Sequence, residues 1–120
     1  MNMPGVGFVI SPTMRRSIIG FIQHSGRVAT LKVRTIGGKV AIINAYAPHS
    51  GKPYDERHDF YPDLSRVYSS TSAHGMEMVC GDLNARLHRR LGGEEDVLGP
   101  FVFGNAGAHL EEGSNRDLLM

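Results

Sequence analysis

The sequence predicts one mixed domain, α/β or α+β, spanning residues 1–120. Three observations predict it. Short apolar runs rich in β-branched residues recur through the first half of the chain, divided by turns that carry glycine or proline. One segment near the middle changes to helical spacing. A further short apolar run follows that segment, completing an order of strand, strand, hairpin, helix, strand. Composition agrees: 41% hydrophobic and 21% charged residues are near globular averages, and 15 glycines with 6 prolines imply many turns. A chain of 120 residues is long enough to bury one core.

Residues 5–10 (GVGFVI) and 17–23 (SIIGFIQ) are two apolar runs expected as strands, separated by the turn-like SPTMRR with its Pro12. Residues 27–35 (RVATLKVRT) alternate, with Val28, Thr30, Lys32 and Arg34 on one side and Ala29, Leu31, Val33 and Thr35 on the other, which predicts a half-buried strand. Gly37-Gly38 follows as a hairpin tip able to supply positive φ. Residues 39–47 (KVAIINAYA) are apolar almost throughout, and Val40, Ile42 and Ile43 suit a central strand covered on both faces, ended by Pro48. From Tyr54 to Tyr68 the period changes: Phe60 or Tyr61, Leu64, Val67 and Tyr68 fall at helical spacing among Asp55, Glu56, Arg57, Asp63 and Arg66. Pro62 removes a backbone donor inside that helix, so a kink or restart near Tyr61 is expected. Residues 76–80 (MEMVC) form another short strand, and residues 81–107 are glycine-rich and mostly loop. Ser114-Asn115-Arg116 opens a capped helix that stops within its first turns and so should bury very little, its arginine exposed. A sheet needs cover on both faces and one long helix covers one, so the chain reads as an incomplete piece of a larger fold.

Charge and cysteine usage narrow the functional classes. Thirteen basic residues against twelve acidic ones leave a formal charge of +1, too little to hold a polyanion by field strength alone, so any nucleic-acid contact is local. The single cysteine, Cys80, precludes an internal disulfide, suits a reducing compartment, and is expected as a small buried hydrophobe. No apolar stretch approaches the roughly 20 residues of a membrane span, and the first ten residues lack the basic region of a secretory signal, which predicts an intracellular location. The six histidines show no metal-ligand spacing. They are expected on the surface or in loops, with His49 alone near the candidate site.

Three side chains stand at predicted strand ends: Tyr46 closes KVAIINAYA, and Asp82 and Asn84 follow MEMVC. If these strands are parallel neighbours, all three emerge at the edge where such sheets bind ligands. An extended Asp-x-Asn would place a carboxylate that orients or deprotonates water beside an amide donor, with the tyrosine hydroxyl fit for a phosphate oxygen. The same residues also admit a plainer reading. Asp82-Leu83-Asn84 can be an Asx-type turn capping its own backbone, and Tyr46 a core aromatic with a satisfied hydroxyl.

The strings INAYAPH at residues 43–49 and VCGDLNARL at residues 79–87, in that order around a helix, resemble the endonuclease/exonuclease/phosphatase superfamily. They are most similar to the endonuclease domains of non-LTR retrotransposons and their domesticated relatives. GVGFVIS, GRVATLKV and FGNAGAHLEEGSNRDLLM resemble the flanking family segments, so the resemblance spans nearly the whole chain. It implies a two-layer β-sandwich flanked by helices, of which residues 1–120 supply about half. By position, Tyr46 resembles the tyrosine that contacts the scissile phosphate, Asp82 the aspartate that positions or activates water or protonates the leaving group, and Asn84 the asparagine that holds the phosphate. Arg27 and Asn44 match strands of the family without assigned chemistry.

The implied reaction is magnesium-dependent hydrolysis of a phosphodiester, with DNA as partner and the nucleus as a compartment. The family also uses an asparagine and a metal-binding glutamate on earlier strands and a terminal Asp-His pair. None of these occurs in the 120 residues, so the chain is expected to bind magnesium weakly and to be inactive or nearly so by itself. A non-catalytic remnant that binds nucleic acid or protein, and a phosphatase of the same superfamily, are the alternatives; oligomeric state is left open.

Overall fold

A computed structural model of the chain describes residues 5–71, 75–85, 91–94, 96 and 114–119. After a 3-10 turn at Arg15–Ser17 come strands β1 (Ile18–Gln23), β2 (Val28–Thr35) and β3 (Gly38–Tyr46), helix α1 (Tyr54–Thr71), strand β4 (Gly75–Asp82) and a short helix α2 (Asn115–Leu119). The four strands form one mixed sheet in the order β1-β2-β3-β4, antiparallel at the first two junctions and parallel between β3 and β4. Residues 5–10, expected as a strand, are extended chain outside the sheet. They pass the face opposite α1, where Gly7 O accepts from Asn44 Nδ2 at 2.8 Å and the Phe8 ring meets Phe21 edge-on at 6.1 Å.

The hairpin forms where the glycines predict it, with Thr35 paired to Gly38 across Ile36-Gly37. Only Gly38 takes positive φ, at 124°. Burial differs from the expectation drawn from pattern. β2 is buried on both faces over its first four residues: α1 packs over the face that carries Val28, and residues 5–10 lie on the other, against Asn44 of β3 and Phe21 of β1 on either side of β2. β3 buries Ala41, Ile43 and Ala45 towards α1, while Val40, Ile42 and Asn44 on its other face are half-buried.

α1 runs unbroken through Pro62, with no restart at Tyr61. The ring costs one helical hydrogen bond, to the carbonyl of His58, in a solvent-facing turn that tolerates the loss. Its inner face carries Phe60, Tyr61 and Leu64, with Val67 one turn on, packed on Val28, Ile43, Ala45 and Ala47. Tyr68, expected on that face, is 47% exposed. At roughly 2 kcal/mol per buried side chain, this one layer dominates the packing.

β4 forms the edge beside β3. Cys80 is exposed, not buried, and so are Met76, Met78 and Val79, because an edge strand lacks the neighbour that would shield it. Its two glycines press on β3. A Cβ on Gly75 would lie 2.0 Å from the Lys39 carbonyl oxygen, and one on Gly81 1.9 Å from that of Ala45. Gly81 also has φ 128°, a conformation open to glycine and strained for any L side chain. Helix α2 is short yet well anchored: Asn115 and Arg116 are buried, and Leu118 and Leu119 reach the core. Ser114 caps it, its Oγ accepting from Asp117 N at 3.3 Å.

Candidate functional site

Because β3 and β4 are adjacent and parallel, Tyr46 and Asp82 are register partners at their C-terminal ends. Partners in a ladder share a face and lie about 4.8 Å apart across strands. The Tyr46 side chain is 37% exposed. Its hydroxyl makes no hydrogen bond to the described residues, so Tyr46 is not the satisfied core aromatic of the plainer reading. Arg27 completes this end. Its guanidinium lies 5.3 Å from the Tyr46 ring centroid, donates to Tyr46 O at 3.1 Å and pairs with Glu56 Oε1 at 3.1 Å. The ring is thereby clamped.

Asn84 departs from the extended geometry. It has φ 47°, and its backbone N donates to Asp82 Oδ1 at 2.8 Å, closing the Asx turn that was the alternative from sequence. Its Nδ2 donates to Ala47 O at 2.6 Å. Asp82 and Asn84 therefore do not project side by side: Asp82 keeps one carboxylate oxygen for another partner, and Asn84 ties the segment after β4 to the segment after β3. Ala47 N donates to Asp82 O at 2.8 Å and reinforces that tie.

Behind this edge lies a polar clasp that reading the sequence missed. Asn115, 3% exposed, donates through Nδ2 to Pro48 O at 2.8 Å and to Asn84 O at 2.9 Å, and its Oδ1 accepts from Arg57 at 3.1 Å. Tyr61 donates to Leu83 O at 2.9 Å. Burial pushes the Tyr61 phenol above its ordinary pKa; Arg57 opposes the rise and the nearby Asp82 carboxylate adds to it. Arg116, expected as an exposed charge, is buried and forms a two-pronged pair with Glu94 at 2.9 and 2.7 Å. That pair, with the Leu91 N–H, holds the Glu94 carboxyl below its usual range. The only sequence signal was the cap-like SNRD, which marks a helix start and says nothing of what the start touches.

Among the described residues no three His, Cys, Asp or Glu side chains come together, and Asp82 is the one acid at the shared strand ends. His49 lies just beyond β3 as an exposed loop residue, its Nδ1 accepting from Gly51 N at 3.0 Å. His24 bonds Thr30 and His58 lies against Asp59; His74, His88 and His109 fall outside the described residues. Most of the expected loop over residues 81–107 is likewise outside them. No described helix is long and apolar enough to cross a membrane. No family model, curated protein or solved structure matches the chain.

Proposed function

We propose that residues 1–120 belong to a phosphodiesterase domain of the endonuclease/exonuclease/phosphatase type, nearest the endonucleases of non-LTR retrotransposons, with DNA as its substrate. The observation that carries this reading is the pairing of Tyr46 with Asp82 at the C-terminal ends of the parallel strands, inside the motifs NAYAPH and GDLNA. Tyr46 is exposed, its hydroxyl makes no hydrogen bond among the described residues and can donate to a non-bridging phosphate oxygen, and Arg27 holds its ring. The free oxygen of Asp82 orients or deprotonates the attacking water. Asn84 serves by fixing the loop that aims Asp82. The sheet would be one layer of a two-layer sandwich, a view supported by Phe21 at 52% exposed and Met78 at 46%. An intracellular location, including the nucleus, follows from the substrate.

In this family magnesium screens charge gathering on the phosphate in the transition state. Among the described residues Asp82 is the one acid at this edge, and on this reading residues 1–120 by themselves turn over little or no DNA. Nicking of supercoiled plasmid with and without magnesium, with Asp82→Ala as control, tests this: the expected result is no nicking. Vigorous nicking abolished by the substitution would overturn the inactivity and establish the enzyme.

A second reading is favoured by one observation. Asp82 Oδ1 and the Asn84 amide are both engaged by backbone groups, as in a purely structural turn. On that reading the edge binds nucleic acid or protein without chemistry. Weak DNA binding that falls steeply with salt, with no turnover, identifies it. A phosphatase of the same superfamily would instead release phosphate from inositol phosphates in the same buffer.

A further inference from the structure

The opposite end of the sheet holds a cavity of about 230 Å³ beyond the C-terminal end of α1. Register explains its shape. Lys32 pairs with Ala41 and Ala41 with Glu77, so the three form one row on the face towards α1, with Lys39 two residues before Ala41 on the same face. Ala41 is small, which leaves a gap between two charged neighbours whose Cα atoms lie about 10 Å apart at ordinary strand spacing. Thr71, Met76 and Ile19 are among the other residues that line it.

The electrostatics of this gap are unresolved within the chain. Glu77 Oε1 is shut off from solvent and has no hydrogen-bond partner. A buried carboxylate oxygen in that state is rare, because its desolvation goes uncompensated. Neither the Lys32 nor the Lys39 ammonium makes a hydrogen bond or ion pair with the described residues. The Thr71 hydroxyl is committed to Val67 O at 2.7 Å. Among the described residues the cavity thus presents one acceptor without a donor and two ammonium groups without an anion, a net +1 lining.

From this we infer a binding site for a small zwitterion that carries an ammonium group and a phosphate monoester. The ammonium would donate to Glu77 Oε1, and the phosphate would lie between Lys32 and Lys39; a dianion with one cation complements the lining charge. Counted along β4, Glu77 is five residues from Asp82, about 16 Å at strand rise, so this site is separate from the strand-end pair. It does not depend on the phosphodiesterase reading.

Phosphoethanolamine is a suitable probe, with inorganic phosphate and ethanolamine as the two half-ligands, titrated into the full chain by amide-detected NMR. Saturable shifts are expected at residues 39–41 and 75–77 and none at Tyr46 or Asp82. Each half-ligand should bind at least about tenfold more weakly than the whole. Glu77→Gln, which keeps the side-chain shape, and the pair Lys32→Met with Lys39→Met should each weaken binding about tenfold, while Asp82→Asn leaves it unchanged. A melting curve for each variant verifies that it is folded. No saturable shift up to about 10 mM probe, or a Glu77→Gln affinity equal to that of the parent, overturns the inference.

Discussion

The two ends of the β3–β4 pair differ in how their buried polar groups are satisfied. At the C-terminal end, Asn115 alone holds three partners drawn from three separate segments, and Tyr61 and the Asn84 amide each have theirs. At the N-terminal end, Glu77 Oε1 has none. The same parallel ladder therefore finishes in a cross-braced edge on one side and an open, charged gap on the other. A network whose members are all bonded fixes geometry, and a lone buried acceptor costs stability until something fills it. The first suits a site that must hold two side chains in place, and the second a site that awaits a ligand.

This contrast can be broken experimentally. The largest effect is expected from Gly81→Ala, which forces a left-handed backbone on alanine and drives its Cβ into the Ala45 carbonyl; a loss of about 4 kcal/mol or more should appear in denaturant titration. Asn115→Ala should cost about 3 kcal/mol, since it removes the donor to the Pro48 and Asn84 carbonyls and one acceptor of Arg57. A loss below about 1 kcal/mol would mean that the clasp does not brace this end.

A smaller effect is visible only in acid. The folded Glu94 pKa lies below its ordinary 4.5, so the pair with Arg116 stabilises the fold above that pH and loses its contribution as pH falls through the folded value. Melting temperatures should therefore drop below about pH 4.5 more steeply in the parent than in Arg116→Met. The smallest effect has the opposite sign. Glu77→Leu removes a carboxylate that has one oxygen shut off from solvent and unbonded, and should gain about 1 kcal/mol, measured by the same titration.

Elements set by local pattern were legible in the sequence. The hairpin needs only two adjacent strands and a glycine at the right place, and α1 needs only the spacing of Phe60, Tyr61, Leu64 and Val67. The strand-end position of Tyr46 and Asp82 followed from element order. What failed depended on neighbours remote in sequence. Residues 5–10 have strand composition but are held across a sheet face by Asn44 and Phe21 instead of pairing at an edge, and Cys80 is apolar in context yet sits on an edge strand. Arg116 carries a charge that ordinarily faces water; its burial depends on Glu94, 22 residues away, which no periodicity reveals. The extended Asp-x-Asn failed for a local reason: an acid two residues before an asparagine can bond its backbone N–H and pull it into the left-handed region.

Gly81 has a consequence for how mutations would sort under selection. Its contact with the Ala45 carbonyl sets the backbone from which Asp82 departs, so it constrains folding whether or not Asp82 performs chemistry. In a library scored for cellular abundance alone, position 81 should tolerate no substitution while position 82 accepts Asn and Ser. In a library scored for phosphodiester cleavage by a complete domain containing these residues, both positions should be closed. The gap between the two tolerance profiles at position 82 would measure how much of this edge is kept for catalysis and how much for shape.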